Sequence, residues 1–331
     1  MTTDTTPTAL APRRRSPITL GELTVAAGKT GTGELPIARL VTGTQISLPI
    51  QVFHGATDGP CVWLSAAVHG DEIAGVEIIR RAAEQLDPKK LRGTVIAVPI
   101  VNVHGFLNGD RYLPDRRDLN RSFPGSATGS LAARVANLFI TEIVMRCDVG
   151  IDLHTGSDHR INLPQVRADL DDPDTRRLAE AFGAPIMLHA RVRDGSLRGA
   201  ATEHGKTVLL FEGGEAWRFD KQAIEVGTTG VLNVLSELDM IDSPTDRCIV
   251  PPRTSRKSSW LRARRSGIVA MAVEAGDTVV KGQVVGVIHD SVGKRLARLN
   301  ATRDGVVIGH VQHPLVNQGD AVVHIAELET V

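Results

Sequence analysis

Two stretches of the chain gather side chains that hydrolytic chemistry uses. In LSAAVHGDEIAGVEII, residues 64–79, an apolar run opens into His69, Gly70, Asp71 and Glu72 before the apolar pattern resumes. In VGIDLHTGS, residues 149–157, His154 stands two places after Asp152 at the end of another apolar run. A close His-x-x-Glu pair with a distant third His supplies two imidazoles and a carboxylate, the donor set of hydrolytic zinc sites that keep one coordination position for water. His69, Glu72 and His154 are thus candidate ligands for one Zn2+ per chain. Read singly, each is an ordinary strand-end polar residue, because short motifs recur by chance. Gly70 lets the turn form, Asp71 is expected to face solvent or a ligand's partner, and Asp152 is placed to orient an imidazole.

Two further stretches add reacting groups. RYLPDRRDLNRSFPG, residues 111–125, holds four arginines and an asparagine without helical period. It reads either as a solvated basic loop or as a substrate clamp. In the second reading Arg111, Asn120 and Arg121 grip a carboxylate and the reacting carbonyl oxygen, since guanidinium matches carboxylate through paired hydrogen bonds; Arg116 and Arg117 are surface charges in either. In TVLLFEGGE, residues 207–215, Glu212 follows an apolar run directly and is the preferred general base, with Glu215 its rival.

These groups need a scaffold that delivers them to one edge. Apolar, β-rich runs at 61–68, 94–101, 149–153, 185–188 and 207–211 alternate with helical periods at 73–86, 131–146 and 221–238. Such alternation is the pattern of an α/β sheet. The runs are continuous rather than alternating, so the strands are expected to be covered by helices on both faces of a mixed sheet. Ser130 and Asp220 are candidate N-caps, and additional strands are expected over 18–53. His69, His154 and Glu212 then all fall at carboxyl ends of strands, where open α/β sheets bind ligands.

Beyond residue 250 the texture changes. Pro251-Pro252 and a Ser/Thr/basic run mark a linker over 251–259, closing a catalytic unit at 18–250 behind a loose tail at 1–17. From 260 to 331, short Val-rich runs separated by Gly-Asp and Asp-Gly turns predict a small all-β unit whose two halves echo one another. Thirty-eight basic residues balance thirty-eight acidic ones, which gives no reason to expect nucleic acid or a membrane surface as partner. No run reaches the length of a membrane span. Cys61, Cys147 and Cys248 are far apart and form no CxxC, which suits reduced thiols in the cytoplasm. An assembly of like chains is compatible with all of this.

Taken in order, HGDE, RY followed by DLNRSFPG, DLHTGS and FEGG resemble the succinylglutamate desuccinylase and aspartoacylase family, a branch of the zinc carboxypeptidase-like fold. The resemblance implies that His69, Glu72 and His154 bind zinc, that Glu212 is the catalytic carboxylate, and that Arg111, Asn120 and Arg121 engage a small carboxylate-bearing acyl substrate. It also implies a tyrosine near the substrate, yet Tyr112 is the single tyrosine and sits inside the arginine loop. A later family arginine could correspond to Arg191, Arg193 or Arg198. The last unit resembles the barrel-sandwich domains of biotinyl and lipoyl carriers. Lys294 near its turn lacks a carrier's flanking residues and reads as an unmodified lysine, and His289, His310, His313 and His324 read as surface or packing residues. Among the other histidines, His104 and His159 are the spare pocket candidates. The function expected is deacylation of a small N-acyl amino acid or related acyl amine; a metallocarboxypeptidase and a non-catalytic carrier are the alternatives.

Overall fold

Four parallel strands form the centre of the molecule: Thr207–Glu215, Val149–Gly156, Thr57–Ala66 and Arg92–Val98, in that spatial order. The computed structural model describes residues 15–157, 159–243 and 251–329. Nearly all of the tail expected at 1–17, and Cys248, lie outside them; Cys61 and Cys147 are free thiols. The central runs are apolar throughout because successive side chains serve two different layers. Val95 and Ala97 join the core beneath Ala74–Ala83, Pro173–Phe182 and Lys221–Glu237, while Ile96 and Val98 join the opposite core beneath Leu131–Glu142. Gly150 is small for a packing reason: a Cβ there would lie 1.9 Å from the ring of the fully buried Trp63.

Helix starts follow local side-chain chemistry. Ser130 Oγ accepts from the amide of Ala133 at 3.3 Å, and Asp220 accepts from that of Ala223 at 2.7 Å, satisfying amides that the first helical turn leaves open. The strands expected between 18 and 53 are present. The longest, Lys29–Arg39 and Gln45–His54, extend the sheet antiparallel beyond Arg92–Val98.

The other edge departs from expectation. Arg160–Ala168 adds antiparallel to Thr207–Glu215, and Gly305–Val311, Ala321–Glu327 and Lys257–Arg262 continue the same sheet in that order. The stretch 251–259, read as a linker, is largely strand. Arg253–Ser255 pairs with Ile186–His189, and Lys257 opens the edge strand just named. The C-terminal unit does have its own core, around Val269, Val285, Leu299 and Val323, under a four-stranded sheet. Its second layer, however, is the edge of the catalytic sheet.

Candidate active site

The strand Thr57–Ala66 ends one turn before His69 and Glu72. Gly70 is required there by close approach rather than by φ, since a Cβ would lie 2.0 Å from the backbone of Gly105. Glu72 sits between the two imidazoles. Its Oε1 is 2.8 Å from His69 Nδ1 and its Oε2 is 2.7 Å from His154 Nδ1. One donor atom from each of the three residues lies within 4.8 Å of the others, and all three residues are buried.

Each imidazole is also anchored from behind. His154 Nε2 is 2.8 Å from Asp152 Oδ2, and Ser65 Oγ donates to Asp152 Oδ1 at 2.8 Å. Asp152 and His154 are two apart on one strand, so they share a face. His69 Nε2 is 3.2 Å from Asp118 Oδ1. Imidazoles with one nitrogen facing inward and the other held by a carboxylate have the arrangement of metal-binding histidines. The donor set and its backing therefore fit a divalent cation.

Charge follows this geometry. Burial opposes ionisation of Glu72, but the adjacent His69 and His154 hold its carboxyl well below the usual carboxylate range. Burial likewise disfavours charge on His154, and Asp152 and Glu72 outweigh it, raising the imidazole. Asp71, expected to face solvent or a ligand's partner, is buried with Oδ1 lacking a hydrogen-bond partner. Burial and the charge of Glu72 push its carboxyl up to about 6.

The arginine loop reaches the same place. Arg111 ties its guanidinium to Glu72 Oε1 at 3.3 Å, Asp118 Oδ2 at 2.9 Å and Ser157 Oγ at 2.8 Å. Asn120 is buried, its Oδ1 accepting from the amide of Leu197 at 2.9 Å. Arg121 lies beside it and donates to its carbonyl. Arg116 and Arg117 are exposed.

His69, Glu72, His154, Arg111, Asn120, Arg121 and Glu212 all line one cavity of about 520 Å³. Glu212 lies across from His154 in the ladder, accepts a hydrogen bond from the Asn162 side-chain amide, and has Arg167 Nε 3.5 Å from Oε1. Glu215 is not part of the lining and pairs with Arg218 at 3.3 Å. Arg191, Arg193 and Arg198 are also in the wall. Arg198 is buried, its Nη2 donating to the carbonyls of Ala190 and Arg191, and burial lowers its pKa to about 10. Burial and the nearby Arg121 lower Arg193 as well.

The spare pocket candidates fail. His104 is absent from the wall, and so is His159, whose ring packs 5.4 Å from those of Trp217 and His313; Tyr112, which has no family counterpart, is absent as well. His324, read as a surface or packing residue, lines the cavity with Trp260. Asp118 and Asn162 were also missed. Asp118 had a signal in the DLNR motif, whereas Asn162 lies in a strand that periodicity does not reveal.

Comparison with known proteins agrees with this architecture. The model of the succinylglutamate desuccinylase/aspartoacylase catalytic domain matches residues 58–238, more than half of the chain. An N-alpha-acetyl-L-2,4-diaminobutyric acid deacetylase from Halomonas elongata is 29% identical over 300 residues, 86% of each chain. The crystal structure of a succinylglutamate desuccinylase/aspartoacylase from Rhodobacter sphaeroides is 29% identical with a TM-score of 0.80, covering 91% of this chain and 96% of that one. The fold is likewise that of a product-bound ectoine utilization protein from Ruegeria pomeroyi, at 24% identity, a TM-score of 0.83, and coverage of 96% and 97%. The chain belongs to the succinylglutamate desuccinylase/aspartoacylase family.

Proposed function

We propose that the protein is a zinc-dependent deacylase that hydrolyses the amide bond of a small N-acyl amino acid. The observation that carries the reading is the meeting of the His69, Glu72 and His154 donors with Glu212 and a set of arginines in one cavity. His69, Glu72 and His154 would hold the metal. Zinc bound there would supply Lewis acidity and lower the pKa of a water to about 7.

The remaining work falls to the chain's own groups. Asn162 holds Oε2 of Glu212 and Arg167 Nε stands 3.5 Å from Oε1; the carboxylate so oriented takes the proton of the attacking water and returns it to the leaving nitrogen. Arg111, fixed by Asp118 and Ser157, offers its charge to the oxygen on which negative charge develops. Asn120 has committed Oδ1 to Leu197, which leaves its amide hydrogens to orient substrate beside Arg121. Arg121, Arg193 and Arg198 give the cavity a cationic side suited to the substrate carboxylate. The relatives that act on acylated amino acids support this substrate class. No helix among the described residues is long and apolar enough to cross a membrane, and a cytoplasmic site of action accords with Cys61 and Cys147, whose sulfurs lie 3.3 Å apart yet are free thiols.

The test couples metal analysis to a screen of acetyl, succinyl, formyl and aspartyl-type amides of amino acids. Release of free amino acid with about one zinc per chain, lost on chelation and regained on adding zinc, is expected. Metal-loaded protein that cleaves none of these amides, or that instead trims C-terminal residues from peptides, would refute the proposal.

A further inference from the structure

The far side of the cavity is built by the C-terminal unit. Trp260 on Lys257–Arg262 lies directly opposite His324 on Ala321–Glu327. Their rings stack with centroids 4.5 Å apart and planes 15° apart. Both line the cavity, together with Ser258 and Ser259. The row continues across the sheet, with His324 opposite Gly309 and Gly309 opposite Asn162, whose side chain holds Glu212. Directly opposed residues on neighbouring strands project to one face, so the stacked rings stand on the face that carries the Asn162 amide.

This wall differs in character from the arginine side. His324 is buried, and burial together with the charge of Arg167 lowers its pKa to about 3, which keeps the ring neutral near pH 7. Its Nδ1 has no hydrogen-bond partner. The guanidinium of Arg160 lies 5.4 Å from the centre of the indole. Two flat rings thus line the cavity, with Ser258 on the same strand face as Trp260 and the guanidinium of Arg160 alongside.

We propose that the Trp260–His324 pair is the specificity-determining wall for the part of the substrate farthest from the scissile amide, and that it selects an uncharged apolar or planar group there. The inference rests on the deacylase reading above. Stacked rings gain contact area and dispersion energy from flat or apolar groups. An ammonium at the same place would lose water against the neutral rings. A carboxylate would lose water against neutral rings, whereas Arg121 and Arg193 offer it charged partners elsewhere in the cavity.

The experiment compares wild type, Trp260→Ala and Trp260→Phe on amino acids carrying whichever acyl group the wild type cleaves: glycine, norleucine, phenylalanine, glutamate and 2,4-diaminobutyrate. Wild type is expected to favour the norleucine and phenylalanine derivatives. Trp260→Ala should raise KM for those two about tenfold and leave the glycine derivative within about twofold, with Trp260→Phe restoring most of the loss. An equal loss across the series, or none, overturns the proposal. A second readout needs no turnover: in a Trp217→Phe background, with Trp63 fully buried, Trp260 emission should change on titration with free norleucine and not with glycine. Absence of that difference also overturns the proposal. If wild type cleaves none of the series, the deacylase reading fails, and the fluorescence titration still decides the wall.

Discussion

The side-chain amide of Asn162 donates to Oε2 of Glu212 from the neighbouring antiparallel strand. This fixes the orientation of the carboxylate proposed as general base. Asn162→Ala is expected to lower kcat about tenfold, the worth of one hydrogen bond to a charged group, with KM changed less than about threefold. An unchanged kcat would show that Glu212 needs no such partner.

Glu212→Gln keeps the shape of the side chain and removes the proton acceptor. Turnover should fall by about two to four orders of magnitude while zinc content per chain stays at the wild-type level. The same substitution at Glu215, which pairs with Arg218 outside the cavity, should leave kcat within about threefold. Reversal of the two effects would exchange their roles.

Asp118 and Asp152 each hold the outward nitrogen of an imidazole. Asp118→Asn and Asp152→Asn should each weaken zinc binding by about 10- to 100-fold, read by competition with a chelator. Affinity equal to wild type in both variants would separate these carboxylates from the metal site.

Gly309 touches the site through backbone packing. A Cβ there would lie 2.6 Å from Asn162 Oδ1 and 2.8 Å from the carbonyl of Ile161. Gly309→Ala is therefore expected to destabilise the fold by about 1–3 kcal/mol and to lower kcat in the folded fraction, although residue 309 is far from Glu212 in sequence. Denaturant titration and kcat on the same preparation check both effects.

His324 ties stability to pH. Unfolded, the imidazole takes a proton near 6.5; folded, only near about 3. Between those values the unfolded chain binds the extra proton. The contribution of the neutral buried ring is thus complete above pH 6.5 and is lost as pH falls toward 3, by at most about 1.4 kcal/mol per pH unit. His324→Phe keeps a stacking ring and removes the titration, so its stability should fall less steeply than wild type between pH 6.5 and 4. Parallel curves from urea denaturation would rule out this linkage.

Much of this arrangement was legible in the linear chain because it is local. His69 and Glu72 close one apolar run, His154 and Glu212 end two others, and strand direction alone brings those ends to one edge. That Asp152 reaches the imidazole of His154 is shown by the structure alone. What stayed hidden depends on pairing between distant segments. Arg160–Ala168 contains Pro164, which argues against a central strand; the structure accommodates it where the ladder to Thr207–Glu215 shifts register between Glu212 and Gly214. Asn162 was hidden with that strand. Trp260 and His324 meet only because residues 257–262 pair with 321–327, and the Pro251-Pro252 signal for a break concealed the strands on its far side.

The unbroken sheet divides labour along the polypeptide. The groups proposed to grip a cation and move a proton stand on, or just after, strands from the first two thirds of the chain, while the surface proposed to meet the remote end of a guest stands on strands from the last quarter. Substitutions at positions 260 and 324, which line the cavity, are thus placed to retune which guests are admitted, whereas a change at Gly309, one strand nearer, would reach Asn162 and the carboxylate it holds.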